Sequence, residues 1–107
     1  MAIQHAQPGD VVELGGARHG PSPFRTSAIV KSDRFEAIRL AVPMGAKIAA
    51  HQVEGPITLH CLEGQVIVGL PEADAELAAG QWMFLAGSTK HSVRGVADSL
   101  LLLTVIF

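Results

Sequence analysis

Two histidines, two glutamates and a cysteine stand within the sixteen residues AAHQVEGPITLHCLEG, from Ala49 to Gly64, and another histidine follows at position 91. Imidazole, carboxylate and thiolate are the ordinary protein ligands of zinc and of the first-row transition metals. In a small-molecule pocket the same groups act as hydrogen-bonding handles or as acids and bases. Which chemistry is available depends on which side chains meet, and that depends on the elements that carry them.

Those elements are short strands. Eleven glycines and six prolines break the chain at close intervals. Between them lie runs rich in Val, Ile, Leu and Thr, at residues 11–14, 25–31, 34–42, 56–62, 65–70, 81–86, 91–96 and 100–107. Such spacing predicts an all-β sandwich or barrel. The best helix candidate, PEADAELAAGQ at residues 71–81, has good helix formers but no apolar stripe, and it reads as a turn followed by a short strand. HGPSPF at residues 19–24 reads as an irregular loop or an arm ahead of the barrel. The last run, LLLLTVIF, is apolar on both faces, so it must lie between two layers. In so small a barrel one of those layers is expected to be a second subunit, which makes the chain a homodimer.

Side chains alternate across a strand, so parity sorts the candidate ligands. Ala49, His51 and Val53 share one face of the strand that leads to the Gly55-Pro56 turn, and His91 shares a face with Val93. Both histidines are therefore expected inside the barrel. Ile57, Leu59 and Cys61 form the apolar face of the next strand, which points His60 the other way unless a bulge shifts the register. His5 and His19 sit in polar, Gly/Pro-rich surroundings and read as surface residues.

The remaining bounds are broad ones. With 107 residues the chain is the size of one domain, residues 1–107, with an arm and early strands over 1–32 and a barrel over 33–107. Its 49% apolar and 17% charged residues argue against disorder. A net charge of −2 offers no basic patch for nucleic acid. No apolar run approaches the roughly 20 residues that span a bilayer as a helix. MAIQHAQPGD does not read as a signal peptide, and the single cysteine fits a reducing compartment, so the expected setting is the cytoplasm.

The order of these residues resembles the cupin family. Gly45, then AKIAA, then His51, and Gly64 closing an LEG turn follow its first motif; GQWMFLAGSTKH, with Gly80 opening and His91 in the ligand position, follows its second. The resemblance covers residues 45–91 by motif and extends from about Phe35 to the end. It implies a double-stranded β-helix, or jelly-roll, barrel. It also implies a metal held by His51 and His91, but Val53 stands where the family has its second histidine and Ile57 where it has its glutamate. A third ligand would come from His60 through a bulge, from Glu54 beside the turn, or from Cys61.

Two readings of function follow. In one, Val53, Ile57, Leu59, Cys61 and Val93 line an apolar pocket in which His51 and His91 are the polar handles for a small molecule, with small apolar acids and sugars the first ligands to screen. In the other, His51, His91 and a third ligand hold one divalent ion (Zn, Fe, Ni, Mn or Cu) for dioxygenase, isomerase or lyase chemistry. Metal-free acid–base catalysis by a histidine is a third option. It lacks a partner acid, because the chain has no tyrosine and no evident His–Asp pair.

Overall fold

The computed structural model describes residues 5–15 and 24–107. Nine strands follow one another: β1 (Ser27–Lys31), β2 (Phe35–Val42), β3 (Lys47–His51), β4 (Ile57–Glu63), β5 (Gln65–Gly69), β6 (Asp74–Ala78), β7 (Trp82–Leu85), β8 (His91–Gly95) and β9 (Ser99–Ile106). They form a five-stranded sheet in the order β1-β2-β9-β4-β7 and a four-stranded sheet in the order β3-β8-β5-β6. Every pairing is antiparallel. From β2 onward the chain crosses between sheets at almost every step, the double-sheet habit of a jelly roll. The all-β expectation holds, and residues 71–81 do form a turn and the short strand β6.

Alternation sets the core. Ile57, Leu59 and Cys61 of β4 are buried, as are Val66 and Val68 of β5, while the residues that alternate with them are half-buried. These residues pack with Val42, Leu77, Val93 and Leu101 between the two sheets. β9 is the central strand of the larger sheet, between β2 and β4, with Leu101 in the core between the sheets. The strand expected at residues 11–14 does not form. Val11 is 98% exposed there, and without a ladder partner β propensity alone does not hold a strand. The loop read at residues 19–24 lies, except for Phe24, outside the described residues, as does His19. Among the described residues no helix is long and apolar enough to cross a membrane.

Candidate functional site

His51 and His91 meet across the β3–β8 ladder, where they are direct Cα partners. The route to that pairing differs from simple alternation. Val93 and His91 lie two residues apart on β8, but their partners Ile48 and His51 lie three apart on β3. The extra residue is taken up by a β-bulge, which reverses parity within the strand. Ile48, not Ala49, therefore shares the inward side with His51, and both line the same small chamber.

The two rings lie with their centroids 4.4 Å apart, tilted by 53°. Nδ1 of His51 is 3.1 Å from the Ala49 carbonyl oxygen, and Nδ1 of His91 is 2.9 Å from the Thr89 carbonyl oxygen. A carbonyl oxygen only accepts, so each Nδ1 carries the proton and donates. In the neutral rings each Nε2 is then a bare acceptor. His91 is buried, with 4% of its surface exposed, whereas His51 stands at the mouth and is exposed.

Behind the pair is a chamber of about 90 Å³ walled by Leu40, Ile48, Leu59, Val93 and Leu103. It shares His51 and Leu103 with an outer cavity of about 640 Å³, whose other walls include Ile38, Val105 and Phe107 and whose acidic groups are Glu36 and Glu54. The mouth is held by close backbone approaches. A Cβ on Gly55 would run into the Ile106 carbonyl, and one on Gly87 into the Glu54 carbonyl. Ser88 donates its N–H to the Val53 carbonyl at 2.8 Å and sits at φ 63°, a left-handed conformation uncommon for a residue with a side chain. Another recess, of about 430 Å³, lies between residues 5–13 and β1, with Arg39 of β2 on its wall, and does not include His51 or His91.

The candidate ligands and pocket residues separate as follows. His51 and His91 come together. His60 does not join them: it is in register with Trp82 of β7 and Leu102 of β9, on the side of the sheet opposite buried Leu59 and Cys61. The only irregularity in β4 falls between Cys61 and Glu63, too late to turn His60 inward. Glu54 reaches the outer cavity only, beside His51. Val53 lines that outer cavity, and Leu59 and Val93 line the inner chamber. Ile57 and Cys61 are packed into the core, outside the residues that line either chamber. Desolvation of Cys61 raises its thiol above its ordinary pKa of 9.0, partly offset by a backbone hydrogen bond at Glu63. It is an inert, protonated core residue, not a ready thiolate. Among the described residues no group of three His, Cys, Asp or Glu side chains converges in a metal-holding geometry.

Sequence reading missed Glu36. Its signal was present: Ile38, Leu40 and Val42 set the inward parity of β2, and Glu36 has the same parity. The ladder confirms it, pairing Glu36 with Val105 of the cavity wall.

Neither a protein-family model nor a curated protein sequence matches the chain. Solved structures do. A conserved protein of unknown function from Streptococcus pyogenes superposes with a TM-score of 0.78 at 16% identity, over 99% of this chain and 94% of that one. A cupin superfamily protein from Desulfitobacterium hafniense gives a TM-score of 0.74 at 15% identity, over 77% and 75% of the two chains. An RmlC-like cupin from Desulfovibrio desulfuricans gives 0.71 at 20% identity, over 98% and 97%.

Proposed function

The chain is a small cupin-fold barrel, and we propose that it binds a small molecule in the outer cavity that His51 lines. One observation carries this reading: two adjacent imidazoles, each fixed by a backbone carbonyl, stand where an inner chamber of about 90 Å³ meets an apolar-walled outer cavity of about 640 Å³ that His51 lines. A mostly apolar pocket with a few convergent polar groups is the usual form of a small-molecule site.

Cupin barrels often hold a metal ion, but the residues present do not fit one well. Two imidazoles fall short of the three protein ligands of a catalytic zinc site and of the two histidines plus carboxylate of a non-haem iron site. His60 faces away, and no third donor converges among the described residues. Elemental analysis of the untagged protein, purified without chelator, tests this. Background Fe, Ni, Zn, Mn and Cu, unrestored by soaking, is the expected result. About one equivalent of any of them, lost in His91→Ala, would replace the binding reading with a metal-dependent enzyme.

We also propose a homodimer through the outer face of the five-stranded sheet, in the reducing cytoplasm that a single buried cysteine suits. Trp82 and Phe84 are 60% and 57% exposed on the edge strand β7, and their rows continue through His60 to Leu102 and through Thr58 to Thr104. The opposite sheet offers no such face: Lys47, Arg94, Ile67 and Glu76 form one of its outer rows. Sedimentation should give a dimer for the wild type and a monomer for Trp82→Glu. A monomeric wild type overturns this part of the proposal.

A further inference from the structure

We infer that the ligand of this cavity is an organic cation, a primary ammonium group on a compact apolar body. The inference rests on the small-molecule reading and names the chemical class of the ligand. It follows from the polarity of the groups that line the two chambers. Ala49 and Thr89 supply carbonyl oxygens to the Nδ1 atoms, so the free ring nitrogen of each neutral histidine is an acceptor, with His51 lining both chambers and His91 the inner one. The other polar side chains are the carboxylates of Glu36 and Glu54, which when ionised also only accept. Among the described residues no lysine or arginine lines either chamber.

The lining side chains thus form an all-acceptor site with apolar walls. A carboxylate ligand would enter against two carboxylates and two lone pairs, with no charged donor to offset its desolvation, and a buried unpaired charge is very costly. A sugar brings donors, but most of its hydroxyls would lie against Ile38, Leu103, Val105 and Phe107 without partners. An ammonium group has three donors and no acceptor, which complements this set. Its hydrogen bonds to a carboxylate are charge-assisted, and its hydrocarbon body suits the walls. Glu36 is central because it is half-buried on the inward face of β2, whereas Glu54 is exposed at the mouth.

The test is isothermal titration of the untagged full-length chain at about pH 8, where an imidazole is ordinarily neutral and an aliphatic amine cationic. Three probes share one body: cyclohexylmethylamine, cyclohexylmethanol and cyclohexanecarboxylate. A second trio of hexylamine, hexanol and hexanoate removes dependence on the shape of the ring. The amine should bind about tenfold or more tightly than the alcohol, the margin that a charge-assisted hydrogen bond supplies, and the acid should not bind measurably. In Glu36→Gln, shown by thermal denaturation to be folded, the amine's advantage over the alcohol should shrink toward unity. Acid binding as tight as the amine's, or an amine advantage that survives Glu36→Gln, overturns the assignment of a cation held by Glu36 while leaving a small-molecule barrel. Absence of binding by all six probes overturns both.

Discussion

The two ends of the barrel treat their polar groups in opposite ways. At the end away from the histidines the chain closes on itself. Gly45 donates to the Gly95 carbonyl and Gly95 to the Ala46 carbonyl, each at 2.9 Å, and Met44 donates to the Asp98 carboxylate at 2.8 Å. Buried Ser99 accepts from the Gln65 N–H at 2.9 Å and places its single proton between the Ala97 and Gln65 carbonyls. At the other end His51, Glu36 and Glu54 line an open cavity, with buried His91 on the small chamber beside it. The contrast separates two uses of a polar group. Where the chain itself supplies the partner, the group fixes the fold; where it does not, the group is available to a ligand.

The closed end is most vulnerable at Gly64. It sits at φ 83°, and a Cβ there would lie 2.8 Å from the Ser99 Cα and closer to the Asp98 carbonyl and the Ser99 hydroxyl. Gly64→Ala thus combines a left-handed backbone with a collision that backbone atoms cannot relieve. It should cost about 3 kcal/mol or more, a fall in Tm on the order of 10–20 °C. A fall of only a few degrees would mean that the closed end is less constrained than its contacts imply.

Ser99→Ala tests the same end more gently. Removing the hydroxyl leaves the Gln65 N–H without its acceptor in a buried place, for about 1–3 kcal/mol. Chemical denaturation should show a lower midpoint with an unchanged slope. An unchanged midpoint would indicate that water reaches Gln65 and that this end is open too.

Much of this was legible in the sequence because period-two alternation is strict where a strand has one face on the core. Ile57, Leu59 and Cys61 were placed correctly inward by parity, and His60 outward. The approach of His51 to His91 was also expected, and Val53 does share the outer cavity with His51, but the bulge puts Ile48 in place of Ala49 as its face-mate within β3. A bulge is decided by the partner strand, which local alternation does not contain. Residues 11–14 failed for a related reason: their composition suits a strand, but a strand exists only when a neighbour pairs with it. Depth along the barrel was equally hidden. Parity gave Cys61 and Leu59 the same face, yet Leu59 reaches the inner chamber and Cys61 is packed below it.

Cys61 makes the closed end sensitive to high pH. It is 0% exposed at the closed end, and burial raises its thiol above the ordinary value of 9.0. The folded chain therefore keeps this proton over a range in which the unfolded chain has lost it. The associated stability is fully present below about pH 9 and is lost as pH rises through the higher folded value. Stability should decline modestly above that point, less so in Cys61→Ala once its own baseline is subtracted. In the native state the thiol should resist alkylation at neutral pH. Rapid labelling without unfolding would show that the closed end opens.

The smallest expected effect on stability is at the mouth itself. His51 is exposed and, among the described residues, its ring makes one hydrogen bond, to its own strand's Ala49 carbonyl, so His51→Ala removes little that the fold depends on. Its stability should change by no more than about 0.5 kcal/mol, and Tm by no more than about 3 °C. The same substitution removes one of the two Nε2 acceptors and should weaken amine binding about tenfold. A Tm loss as large as that of Ser99→Ala would place the histidine pair among the groups that hold the barrel together. An unchanged Tm with weakened binding would show that the mouth keeps its acceptors for something outside the chain.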